Sequence, residues 1–161
     1  MRALSTLLLL AGMSSALAGS ADHPVTISDA WIREAPPGVS PLAGYLQLDN
    51  TGRETMVLTG VSSPDFKRVE IHRTRIEGDV AKMEQKDSLS LKADESVVFE
   101  PGGYHLMLFQ PGRPMKDGDP VALTFSFKDQ PPLEIEARVR SARDNNDDSH
   151  GSSDHSHHHH H

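Results

Sequence analysis

The chain has 161 residues, a net charge of −7 from 16 basic and 23 acidic residues, ten histidines, six methionines and no cysteine. That length holds one ordinary domain with room for a targeting segment and a tail. The missing cysteine excludes a disulfide framework, a zinc ribbon, an iron–sulfur site, a thiol nucleophile and a blue-copper centre built on a thiolate; the acidic balance lacks the basic stripe that nucleic acid or an anionic membrane surface requires.

Residues 1–18 begin with Met1-Arg2, continue through Leu7-Leu8-Leu9-Leu10 and end on Ala16-Leu17-Ala18. A charged start, a short apolar stretch and a small-x-small end predict a secretory signal peptide, and the stretch is too short for a permanent membrane span. Cleavage after Ala18 releases the protein most simply into a bacterial periplasm. No cysteine follows the apolar run and no second apolar segment occurs, so neither a lipid anchor nor stable membrane insertion is expected. Cleavage after Ser20 would leave Ala21-Asp22-His23 as a Cu(II)-chelating terminus. That site matches the cleavage pattern less well, and His23 reads as an exposed residue without a role.

The mature domain, predicted over 19–142, shows no helical period. Short runs of alternating apolar and polar residues recur instead. Strands are predicted over 26–33, 44–48, 55–61, 68–75, 79–86, 89–91, 96–100, 105–110, 121–127 and 133–139. Val121, Leu123, Phe125 and Phe127 share one face, as do Leu133, Ile135, Ala137 and Val139. Turn chemistry separates the runs at Asn50-Thr51-Gly52, Glu77-Gly78-Asp79, Pro101-Gly102-Gly103, Asp117-Gly118-Asp119 and Gln130-Pro131-Pro132. Seven to nine strands from this pattern predict an all-β domain, an antiparallel β-sandwich or Greek-key barrel. Trp31 and Tyr45 read as core or near-core aromatics.

Residues 143–161 form a His-rich tail that cannot bury a core and is predicted to be disordered. Seven of the ten histidines lie in its last twelve residues. Two readings stand: a purification tag, or a natural segment that binds Cu(II), Zn²⁺ or Ni²⁺ through neutral imidazoles and releases them as these protonate.

Within the folded part, the soft or borderline neutral ligands are His72, His105, Met56, Met83, Met107 and Met115. A tight turn at Glu77-Gly78 pairs Ile76 with Asp79, Arg73 with Lys82 and His72 with Met83, placing the last two side by side. Period-two alternation puts His105 and Met107 on one face. Two imidazoles and two thioethers, with no carboxylate or thiolate, suit Cu(I) better than Zn²⁺ or Cu(II), because a soft neutral set leaves only a single positive charge. Met83 and Met107 read instead as core fillers if taken singly.

His72, ten residues, Met83, twenty-one residues, then His105-x-Met107 resembles the signature of the periplasmic PCu(A)C copper chaperones. Ala30-Trp31-Ile32-Arg33, Ala43-Gly44-Tyr45-Leu46, Val69-Glu70-Ile71-His72 and Pro101–Leu108 agree with it. The resemblance runs from about Val25 to Val139. It implies a cupredoxin-like sandwich with Cu(I) in an exposed site formed by His72, Met83, His105 and Met107; separately, a monomer is expected. It also implies delivery to the CuA-bearing subunit of cytochrome c oxidase, alone or with a thiol-containing copper chaperone.

No H-E-x-x-H, G-x-S-x-G or acid pair supports an enzyme. The competing expectation is a periplasmic copper or zinc buffer dominated by the tail.

Overall fold

The computed structural model describes residues 23–36 and 38–141. The signal segment expected at 1–18 and the tail expected at 143–161 lie outside the described residues. Ten strands and no helix occur among the described residues: β1 (Val25–Arg33), β2 (Leu42–Asn50), β3 (Met56–Ser62), β4 (Phe66–Glu77), β5 (Val80–Lys86), β6 (Leu89–Leu91), β7 (Ser96–Phe99), β8 (Tyr104–Pro111), β9 (Pro120–Phe127) and β10 (Leu133–Arg140). Each expected run became a strand, and several extend beyond the expected ends.

The hydrogen-bonded order is β5-β4-β8-β7-β2-β1-β10-β9-β3-β6, with β8 also pairing directly with β2. The sheet folds back on itself, because β3 and β4 touch although they stand far apart in that order. The result is the expected sandwich with its inner faces opposed. Two pairings depart from a purely antiparallel arrangement: β1 with β10, and β7 with β8, are parallel.

Alternation decides what is buried. Val121, Leu123, Phe125 and Phe127 pack inward from β9, and Leu42, Leu46 and Leu48 from β2, to meet Ile71, Leu106 and Leu108. Each such side chain removed from water stabilises the fold by about 1.5–3 kcal/mol. Gly44 sits where a Cβ would come within 3.1 Å of Leu108 and 3.3 Å of Leu106, so β2 approaches β8 as closely as it does only because this residue has no side chain. Tyr45 is buried and Trp31 half-buried, their rings 4.7 Å apart, which fits the near-core expectation.

His23 departs from its reading as an exposed residue. It is half-buried: Val25 N–H donates to Nδ1 at 3.1 Å, Nε2 lies 3.2 Å from the Pro131 carbonyl, and the ring packs 5.1 Å from that of Phe127. The imidazole ties the start of β1 to the β9–β10 turn.

The β4–β5 hairpin corrects a second expectation. Its loop is Gly78-Asp79, one residue further along than expected, so Glu77 pairs with Val80, Thr74 with Met83 and His72 with Gln85. Gly78 takes φ +64, the left-handed geometry that a two-residue loop beginning with glycine requires. His72 and Met83 are therefore diagonal rather than directly opposed.

Candidate metal centre

Two strands build the centre. β4 and β8 run antiparallel with His72 opposite His105 and Glu70 opposite Met107. Because alternate residues share a face, Glu70, His72, His105 and Met107 all project from the outer side of the sheet, away from Ile71, Leu106 and Leu108. Moving the hairpin loop by one residue shifts every β4–β5 pair by two, so Met83 keeps the face on which it was expected. It stands on β5 diagonal to His72, a separation of about 7–8 Å between such positions. The four predicted residues thus share one face, three of them on neighbouring same-face rungs of the β4–β8 ladder and Met83 at the sheet edge.

The methionines divide by environment. Met56 and Met115 are core residues, each 6% exposed, whereas Met107 is half-buried and Met83 is 55% exposed. A gap-filling role accounts for the first two and fails for Met83.

The imidazoles differ in their partners. His105 is buried, its Nδ1 3.1 Å from the Gly103 carbonyl, so Nδ1 carries the proton and Nε2 keeps its lone pair. Burial pushes this imidazole below the ordinary histidine range; the Gly103 hydrogen bond opposes that shift, and the neighbouring His72 adds to it. His72 Nε2 lies 2.8 Å from Glu70 Oε2. A carboxylate oxygen at that distance requires Nε2 to be the donor, and in the neutral ring this leaves the lone pair on Nδ1. His72 Nδ1 is buried and has no hydrogen-bond partner. The two rings lie 5.9 Å apart, inclined at 39°.

A buried nitrogen lone pair without a partner is costly unless something fills it. A metal ion held between His72 Nδ1 and His105 Nε2, with thioethers alongside, fits that requirement. Among the described residues no group of three or more His, Asp or Glu is arranged to hold a metal ion. The side chains that share this face include imidazole nitrogen and thioether sulfur, a combination that would favour a soft monovalent ion.

Sequence reasoning passed over Glu70 and Arg68. Arg68 Nε lies 2.8 Å from Glu70 Oε1, and its guanidinium sits 4.3 Å from the Phe109 ring centroid. The available signal was the alternation that placed Met107 beside His105, since Arg68, Glu70 and His72 occupy every second position of one strand.

The all-strand sheet has the cupredoxin-like fold of PCuAC copper-binding domains. A copper-bound PCuAC domain from PmoF2 superposes with a TM-score of 0.62 at 24% identity, over 73% of this chain and 93% of that one. CuI-DR1885 from Deinococcus radiodurans gives 0.61 at 28% identity, over 76% and 83%. Residues 25–139 match the family model described as "Putative lipoprotein LpqE-like", and the chain belongs to this LpqE-like family, which is related to the PCuAC domains. The relative named "Putative lipoprotein Lxx21020" from Leifsonia xyli is 28% identical over 130 residues, 76% of this chain and 77% of its own length.

Proposed function

We propose that the protein is an exported Cu(I) carrier that binds the ion through His72, His105, Met83 and Met107 and surrenders it by ligand exchange. The observation that carries this reading is the buried, unpartnered Nδ1 of His72 beside His105, on a face that also bears two methionines outside the core. The likeness to CuI-DR1885 supports Cu(I) as cargo. The lipoprotein names in the family support export. No cysteine within these 161 residues offers a lipid attachment point.

Release follows from the unequal burial of the ligands. His105 is 6% exposed and Met83 55%, so an incoming thiolate reaches the ion from the β5 side and displaces the Met83 thioether first. Copper stays monovalent throughout, and no electron is transferred. The thiolate neutralises the ion's charge, which the neutral donors here leave uncompensated, and this drives the transfer forward. The physiological acceptor on this reading is the CuA-bearing subunit of cytochrome c oxidase, reached directly or through a thiol-containing chaperone. The His-rich tail would act as an accessory reservoir for Cu(II) or zinc.

Mixing the Cu(I)-loaded protein with a metal-free, thiolate-bearing CuA domain, separating the two and measuring copper in each tests the carrier reading. Copper should move to the acceptor. Retention by the donor at equilibrium would overturn transfer and leave a storage protein.

A further inference from the structure

Glu70 sits at the centre of a chain of contacts that ends on His72. The Phe109 ring supports the Arg68 guanidinium at 4.3 Å, Arg68 Nε holds Glu70 Oε1 at 2.8 Å, and Glu70 Oε2 takes the Nε2 proton of His72 at 2.8 Å. The Glu70 and His72 side chains are each only 14% exposed. Arg68, Glu70 and His72 occupy alternate positions of β4, and Phe109 stands opposite Arg68 on β8.

We infer that Glu70 is a positioning residue for the metal centre: it fixes His72 as the Nε2–H tautomer, so that Nδ1 is the nitrogen presented to Cu(I). This rests on the proposed Cu(I) site. A free imidazole exchanges between two neutral tautomers and turns about its side-chain bonds. Anchoring one nitrogen to a carboxylate selects the other as ligand and holds the ring in place before the ion arrives. Each carboxylate oxygen has its own partner, so Glu70 is held from both ends. His105 obtains the same control differently, from the Gly103 carbonyl on Nδ1. The two imidazoles therefore bind through different nitrogens, Nδ1 of His72 and Nε2 of His105.

The carboxylate also stays out of the coordination sphere. With one oxygen on Arg68 and the other on His72, Glu70 supplies no hard ligand, and the donor set keeps its preference for a soft ion.

The test uses the full chain with ring nitrogens labelled, compared with Glu70→Ala, Glu70→Gln and His72→Ala. Two quantities are read: the tautomer of His72 in the metal-free protein by nitrogen NMR at neutral pH, and Cu(I) affinity against a chelator strong enough to keep the tail histidines empty. In the wild type His72 should carry its proton on Nε2. Glu70→Ala should lose that preference and bind Cu(I) roughly 10–100-fold more weakly. Glu70→Gln retains an oxygen acceptor and should keep most of both. Where Glu70→Ala fails to fold, Glu70→Leu preserves the bulk without either oxygen and should behave as expected of Ala. An unchanged His72 tautomer and unchanged affinity in the Ala or Leu variant would overturn the role of Glu70 and leave the site standing. Equal Cu(I) affinity in the wild type and His72→Ala would overturn the site itself, and the inference with it.

Discussion

His72 and His105 stand directly opposite one another on β4 and β8, their rings 5.9 Å apart, although thirty-two residues separate them in the chain. One cross-strand rung does what a sequence spacing cannot state: it brings two imidazoles to one point on the outer face. Glu70 opposite Met107 forms the next rung on that face, beyond the inward-facing Ile71–Leu106 pair. The candidate centre thus draws on two neighbouring same-face rungs of one ladder, with Met83 on the same face at the sheet edge.

The two candidate methionine ligands should separate binding from stability. Met83 is exposed on the edge strand, so Met83→Leu should change folding free energy by less than about 0.5 kcal/mol. Met107→Leu, a swap of similar volume at a half-buried position, should cost less than about 1.5 kcal/mol. Both should weaken Cu(I) binding, with thermal unfolding nearly unchanged for Met83→Leu and lowered by at most several degrees for Met107→Leu. Parallel denaturation and Cu(I) competition on each variant check this, and unaltered binding would show that the thioethers are not ligands.

Gly78 controls where Met83 lies. Its φ of +64 sets the two-residue loop, and a β-branched residue there is strained by on the order of 1–3 kcal/mol. Gly78→Val should disturb the β4–β5 register and lower Cu(I) affinity without touching a candidate ligand. Amide exchange in β5 should rise in the same variant; protected β5 amides with normal affinity would contradict this link.

Most of the fold was legible because alternation is a physical requirement of a half-buried strand, and β9 with β10 displays it residue by residue. The hairpin register was not. Glu77-Gly78 and Gly78-Asp79 both look like turns in sequence, and only the backbone geometry of Gly78 selects between them. The face assignment survived because the displaced pairing preserves parity. Glu70 escaped notice because a glutamate beside a histidine on a strand looks like a solvated charge, and the Phe109 ring that supports its partner Arg68 reaches it only once β4 lies against β8. Asn50 looks in sequence like the start of a turn, yet it closes β2 as a buried residue.

Asn50 carries a load that its turn-like sequence context hides. Only 1% exposed, it directs Nδ2 at the carbonyls of Glu54, Leu91 and Lys92, while Oδ1 accepts from Gly52 N–H. Asn50→Ala strips partners from several main-chain groups at once and should destabilise the protein by about 2–3 kcal/mol. Chemical denaturation measures it, and a loss below about 0.5 kcal/mol would show that water replaces the amide without penalty.

Tyr45 should reveal itself at alkaline pH. Burial pushes its phenol above the ordinary value of 10.0, and the nearby Arg33 only partly offsets this. The folded state holds the phenolic proton more tightly than the unfolded chain. The resulting stability is fully present below the unfolded pKa and is lost as pH rises through the folded value. In a Tyr104→Phe background, ultraviolet titration of the remaining tyrosine should show phenolate forming later in the folded protein than in denaturant. Coincident curves would contradict the burial account.

The most direct measurement is a competitive titration of Cu(I) and Zn²⁺ into the chain ending at Ala142, alongside its His72→Ala version. Without the tail the chain should bind one Cu(I) in clear preference to Zn²⁺, and that binding should be lost when His72 is removed. No preference for Cu(I), or equal binding by the variant, would contradict this, and metal binding that disappears with the tail would identify a His-rich buffer instead.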